Sequence, residues 1–146
     1  MSNSGNGARR HAHICGWGMS VPEQILSNNE LARMVDTNDE WIVARTGISQ
    51  RHIAHGHETT ATLATGAARR ALDIADIAPD DVDLIIVATC TPEHNFPSTG
   101  SLVQDALGAR NAGAFDMAAA CTGFVYALSI GAQAIQAGAM DTVLVI

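Results

Sequence analysis

Residues 82–90 read VDLIIVATC, where Val82, Leu84, Ile85, Ile86 and Val87 are interrupted only by Asp83. An unbroken apolar, β-branched run of this length marks a strand covered on both faces, the condition of a parallel sheet lying under helices. The downstream sequence fits that reading. TPEHNFPS (91–98) is a loop, TGSLVQDALGA (99–109) has helical spacing, and AGAFDMAA (112–119) is a short apolar strand. CTGFVYALSIGAQAIQAG (121–138) is a helix that Gly138 ends, and DTVLVI (141–146) is another apolar strand. Strand and helix alternate throughout, which predicts an α/β layered fold on a mostly parallel mixed sheet with right-handed crossovers.

Upstream, ETTATLATGAARRALDIADIA (58–78) repeats apolar residues at helical spacing until Pro79, and SQRHIA (49–54) alternates like a strand. Two capping boxes are expected, Ser27 with Glu30 and Thr37 with Glu40, with Gly47 closing the second helix. HICGWGMSVPE (13–23) reads as a strand that Pro22 terminates. Residues 1–13 form a frayed tail without the apolar run of a signal peptide, so residues 14–146 make one domain. That domain stops at Ile146 inside an apolar strand, which suggests the front part of a longer protein or half of a fold completed elsewhere.

Composition narrows the function. At 47% hydrophobic and 16% charged residues the chain is a folded globular class, not a disordered or collagenous one. All eight basic residues are arginine and the net charge is −7, so the field repels polyanions and nucleic acid is excluded as a natural partner. Residues 117–140 carry no charge and are long enough to span a bilayer. Their Ala, Gly, Thr and Gln content, with Asp116 and Asp141 as flanks, points instead to a helix packed closely on both sides and away from a membrane. Three cysteines without a CxxC fit a reducing cytoplasm.

In FDMAAACTGF (115–124) an apolar strand turns through small residues and delivers Cys121 to the start of an uncharged helix. Helix N-termini favour a thiolate, and Ala119, Ala120 and Gly123 let a substrate approach closely, much as the glycines do around the serine of a strand-turn-helix nucleophile. Cys121 is therefore the candidate nucleophile, while Cys15 and Cys90 are expected to be buried and inert in strands. Trp41 and Arg45 lie four apart on one helix face, so an aromatic ring and a guanidinium can hold a planar, phosphorylated ligand between them. The simpler reading is a packed Trp and an Arg paired with a nearby acid, and spacing alone favours it. His52, His55 and His57 have a metal-like spacing but no accompanying Cys or carboxylate set, so no metal is expected. His94 sits between two loop prolines and is either solvated or turned toward Cys121. Gly16 and Gly18 give a GxG without the third glycine or a following helix, so a dinucleotide site is not expected.

Taken together, TNDEWIVARTGISQRHIA (37–54), the HNFPS loop, AFDMAAACTGF and the intervening helices resemble the β-ketoacyl-acyl carrier protein synthase III family of the thiolase fold, from about Ile14 to Ile146. The resemblance implies an α-β-α layered fold whose first of two similar halves is seen here. It implies that Cys121 takes an acyl group, acetyl by default, from acyl-coenzyme A, and then condenses it with malonyl-acyl carrier protein with loss of carbon dioxide, which initiates fatty-acid synthesis. Trp41 and Arg45, with Thr37 beside them, would contact the coenzyme A nucleotide. Phe96 would lie near the acyl pocket at a homodimer interface. No resident cofactor is implied, since coenzyme A enters as a substrate. The condensation also needs a His and an Asn from the family's C-terminal half, and neither can be placed in this chain. Two other readings are a cysteine hydrolase, from the likeness of AxCxG to GxSxG, and a non-enzymatic coenzyme A binding fragment. The hydrolase needs a downstream acid and His that the chain lacks.

Overall fold

The computed structural model describes residues 10–146, in two compact units: Ser20–Thr59, and the remainder formed by residues 10–19 with Thr60–Ile146. The expected tail falls mainly on residues 1–9, which lie outside the described part.

In the smaller unit, strand β1 (Ile25–Ser27) leads directly into a single helical turn, α1 (Asn28–Leu31). Helix α2 (Asp39–Thr46) follows, and strand β2 (Gln50–His52) pairs antiparallel with β1, Leu26 opposite Arg51. The Ser27/Glu30 box forms as expected, with Ser27 N–H donating to Glu30 Oε2 at 2.8 Å and Glu30 N–H to Ser27 Oγ at 3.3 Å. The second box does not. Asn38, not Thr37, caps α2: its backbone is extended and its Oδ1 accepts the Trp41 N–H at 2.8 Å. An Asn at the cap position competes at least as well as Thr, and it sits one residue closer to the helix. Gly47 ends α2 with φ 70°.

Asn28 organises this unit. It is buried, and its Nδ2 donates to Asp39 Oδ1 at 2.7 Å and to the Ile48 carbonyl at 2.8 Å. Its Oδ1 accepts from Arg51 Nη2 at 2.6 Å, and Arg51 Nη1 also reaches the Leu26 carbonyl at 3.1 Å. A side chain of this kind tolerates burial because each of its polar atoms is bonded.

The larger unit begins with the long helix α3 (Thr60–Ala75), followed by a 3₁₀ turn at Pro79–Asp81 and strand β3 (Leu84–Val87). Helix α4 (Thr99–Leu107), strand β4 (Gly113–Asp116), a 3₁₀ turn at Ala120–Thr122, helix α5 (Gly123–Gln136) and strand β5 (Val143–Val145) complete it. The sheet order is β4-β3-β5, all parallel, so the apolar run at 82–90 supplies the central strand.

Alternation along β3 separates the two faces. Ile85 and Val87 join Ala64, Ala68 and Leu72 of α3, Val103 of α4 and Leu144 in one core. Ile86 points the other way and lies opposite Val145, whose Cγ2 is 3.6 Å from where a Gly131 side chain would begin, so α5 covers that face. The result is an α-β-α layering.

Two expectations fail here. Residues 10–22 form no strand; Gly16 and Gly18 instead lie flush on α3, where a side chain would run into the Ala71 and Ala67 carbonyls. Docking on a helix leaves that backbone without a ladder partner among the described residues, and its large apolar side chains Ile14, Trp17 and Met19 stay mostly exposed. Arg10 at its start donates to the Met140 carbonyl at 3.4 Å and pairs with Asp141. Helix α5 is also packed on one side only: Gly123, Ala127 and Gly131 are buried, whereas Phe124, Val125 and Tyr126 are each more than half exposed. Its small residues serve a close approach to the sheet. No helix among the described residues is long and apolar enough to cross a membrane.

Candidate functional site

The nucleophile candidate stands where β4 runs out. Met117 N–H donates to the Val87 carbonyl at 2.8 Å and so extends the ladder one residue beyond the strand. The chain then turns sharply. Ala120 has φ 46°, a left-handed conformation that costs a non-glycine residue about 1–3 kcal/mol. Cys121 occupies the middle of the following 3₁₀ turn, exposed to solvent, one turn before α5 and not within it. Thr122 closes the turn, its N–H and Oγ1 both donating to the Ala119 carbonyl, at 3.2 and 2.8 Å. Gly123 is buried, and a Cβ there would sit 3.3 Å from Ala88 Cβ, which keeps α5 close to the end of β3. The small residues around Cys121 thus permit a tight elbow. The positive φ of Ala120 is invisible in the sequence, because alanine is not a residue that announces it.

The other two thiols depart from expectation. Cys15 and Cys90 are exposed, the first in the segment docked on α3 and the second three residues beyond the end of β3. Neither lies in a strand, which removes the reason for burying them.

Beside the elbow runs the loop 88–98. Glu93 Oε1 accepts the Ala61 N–H at 2.7 Å, and Thr60 Oγ1 donates to the Thr91 carbonyl at 2.7 Å, so the first turn of α3 anchors the loop. His94 is exposed, as is Phe96, which is 90% accessible and joined to Pro97 by a cis peptide bond. Ser98 caps α4 by accepting the Ser101 N–H at 3.1 Å. The Asp116 carboxylate adds two bonds, accepting from Thr99 N–H and Gly100 N–H at 2.7 Å each. Reasoning from the sequence missed Asp116 and Glu93; only an acid placed just past an apolar strand, or in a loop before a helix, hints at them.

Trp41 and Arg45 do meet. The guanidinium carbon lies 4.6 Å from the indole centroid, and Trp41 is 53% exposed. The pair forms one continuous cationic and aromatic surface on α2. Thr37 is half-buried just before the Asn38 cap. The expected partnership of Arg45 with an acid is replaced by this stacking. Cys121 and Phe96 belong to the larger unit and Trp41, Arg45 and Thr37 to the smaller one.

The His52 ring and the His55 backbone have partners within the smaller unit. His52 Nδ1 is 2.6 Å from the Pro22 carbonyl, and Glu58 accepts the backbone N–H groups of His55 and Glu23 at 3.0 Å each. These two bonds, the His55 one first, hold the Glu58 carboxyl below its ordinary range. Among the described residues no three His, Cys, Asp or Glu side chains gather where a metal could bind. An apolar cavity of about 560 Å³ lies between residues 12–18 and β5, lined by Ile14, Trp17, Ala71, Leu128, Ile135 and Val145. Cys121 and Phe96 take no part in its walls.

Residues 115–146, the segment containing β4, the elbow, α5 and β5, match the family described as 3-oxoacyl-acyl-carrier-protein synthase III. The chain is 54% identical over 138 residues to the beta-ketoacyl-acyl-carrier-protein synthase III of Xylella fastidiosa, covering 94% of this chain and 43% of the relative. It is 53% identical over 135 residues to that of Caldanaerobacter subterraneus subsp. tengcongensis, covering 92% and 41%. Among solved structures, the 3-oxoacyl-acyl-carrier-protein synthase III from Aquifex aeolicus superposes with a TM-score of 0.87 at 49% identity, over 90% of this chain and 42% of the other. The chain therefore spans about two fifths of the length of the relatives it matches.

Proposed function

We propose, from the premise that this chain is a homologue of the β-ketoacyl-acyl carrier protein synthases III, has their thiolase-like α/β fold and matches their N-terminal portion, that it carries the acyl-accepting half of their chemistry. Cys121 is the acceptor. Its sulfur attacks the carbonyl carbon of a short acyl-coenzyme A, acetyl in the default case; the acyl–sulfur bond to coenzyme A breaks, the coenzyme A thiol leaves, and a thioester remains on the protein. The thioester then condenses with malonyl-acyl carrier protein, with loss of carbon dioxide, in the step that initiates fatty-acid synthesis. That second step draws on the His and Asn that the family supplies from its C-terminal half.

The observation that carries this reading is the elbow. A strained residue, a single 3₁₀ turn and small neighbours hold an exposed thiol at the carboxyl end of a parallel strand, the edge at which open α/β sheets bind ligands. Trp41 and Arg45 suit the coenzyme A nucleotide, the ring stacking on a purine and the guanidinium pairing with phosphate, with Thr37 next to them. Phe96, so largely exposed, suits a hydrophobic contact with a second subunit of a cytoplasmic homodimer that closes the acyl pocket.

Incubation with radiolabelled acetyl-coenzyme A, followed by peptide mapping, tests the proposal. The label is expected on the peptide containing Cys121 and is expected to vanish in Cys121→Ser. Label retained by that variant, or carried by Cys15 or Cys90 in the unaltered protein, refutes the assignment.

A further inference from the structure

Asp116 does more than a helix cap requires. Ser98 already caps α4 through Ser101, yet the carboxylate of Asp116, reaching across from the end of β4, takes the N–H of Thr99 on one oxygen and that of Gly100 on the other. Both bonds are short and charge-assisted, and the helix dipole favours the anion. The helix is seated tightly for the purpose. A Cβ on Gly100 would come within 3.1 Å of the Phe115 backbone, and Thr99 is buried.

The position of this tether in the fold gives it meaning. Asp116 pairs in register with Val87, so β3 and β4 end side by side and in the same direction. From the end of β3 the chain continues as the loop that bears Phe96 and enters α4; from the end of β4 it continues to Cys121 five residues on. The carboxylate therefore joins the root of one segment to the root of the other. We propose that Asp116 is a positioning residue that fixes the 91–98 loop against the Cys121 elbow and thereby sets which acyl chains Cys121 accepts. This inference rests on the reading of Cys121 as the acyl acceptor.

A residue that served folding alone would change the amount of active protein and so affect all substrates equally. The decisive readout is therefore a ratio: kcat/KM for acylation of Cys121 by acetyl-coenzyme A against that by hexanoyl-coenzyme A, measured on the protein as its own gene encodes it. Asp116→Asn is expected to shift this ratio by about fivefold or more, since small misplacements of a bound reactant change rates steeply. Ser98→Ala, which loosens the same helix end without touching the tether, is expected to leave it within about twofold. Should D116N fail to fold, Gly100→Ala carries the test. Its added methyl pushes α4 off Phe115 by a few tenths of an ångström while the carboxylate stays, and a smaller shift in the same ratio is expected. An unchanged ratio in D116N, or in G100A where D116N is not obtained, overturns the proposal while leaving Cys121 as acceptor. Unaltered protein that takes no acyl group on Cys121 overturns both.

Discussion

Replacing Asp83 with Asn is expected to destabilise the larger unit in a way that depends on pH. The Asp83 carboxylate sits at the start of β3 and accepts the N–H groups of Asp141 and Thr142 at 2.7 and 2.9 Å, which ties the approach of β5 to the central strand. The Thr142 bond first, and the Asp141 bond second, hold its carboxyl below the ordinary carboxylate range. An Asn oxygen can still accept from these amides but without the charge, and charge-assisted bonds exceed neutral ones by about 1 kcal/mol each. Two such bonds at a partly exposed site, discounted for solvent screening, amount to about 1–2 kcal/mol, or a fall in Tm of about 3–8 °C. Because the folded carboxyl titrates below the unfolded one, this stabilisation is fully present above the unfolded value and disappears as pH falls through the folded value. Thermal unfolding followed by circular dichroism, with both proteins at pH 7 and at about pH 2, reads the difference. A gap of the same size at both pH values would show that the charge contributes nothing and would refute the reasoning.

Asn28→Ala should cost about 2–4 kcal/mol, because it removes the side-chain bonds to Asp39, the Ile48 carbonyl and Arg51 at a buried site; urea unfolding measures this, and a loss under about 1 kcal/mol contradicts the assigned role. Trp41→Ala, at an exposed site, should change stability by no more than about 0.5 kcal/mol. The same change should weaken coenzyme A binding by about 1–2 kcal/mol in titration calorimetry, and unaltered affinity excludes the stacking surface.

How much of this was legible in the chain depends on the range of the interaction. Residues 82–90 declare β3 because burial on both faces leaves no room for polar alternation, and Ser27 with Glu30 declares α1 because its partners are three residues apart. The turn that carries Cys121 is legible for a related reason: a short strand, small residues and a helix follow one another in sequence. The N-terminal run at 13–23 misled because an apolar pattern does not say how a segment is covered; here Gly16 and Gly18 meet α3 while Ile14, Trp17 and Met19 stay exposed. The Thr37 cap misled because two capable residues are adjacent. Least legible were the tethers. Asp116 to Thr99 and Gly100, Glu93 to Ala61, and Asp83 to Asp141 and Thr142 span 16 to 59 residues, and no local pattern encodes a carboxylate meeting a backbone N–H that far away.

The central position of β3 also shapes how the larger unit comes together in time. Leu84 pairs with Gly113 on one edge and with Val143 on the other, partners 29 and 59 residues downstream. As the chain leaves the ribosome, β4 is the first of the two flanking strands to become available, and the loop that must close to bring it in is the shorter. The opposite edge of β3 stays open to any extended peptide until β5 has been synthesised and has docked. Closing that longer span costs more chain entropy, so a slow final pairing of β5 and an interval of vulnerability to aggregation follow directly from the strand order.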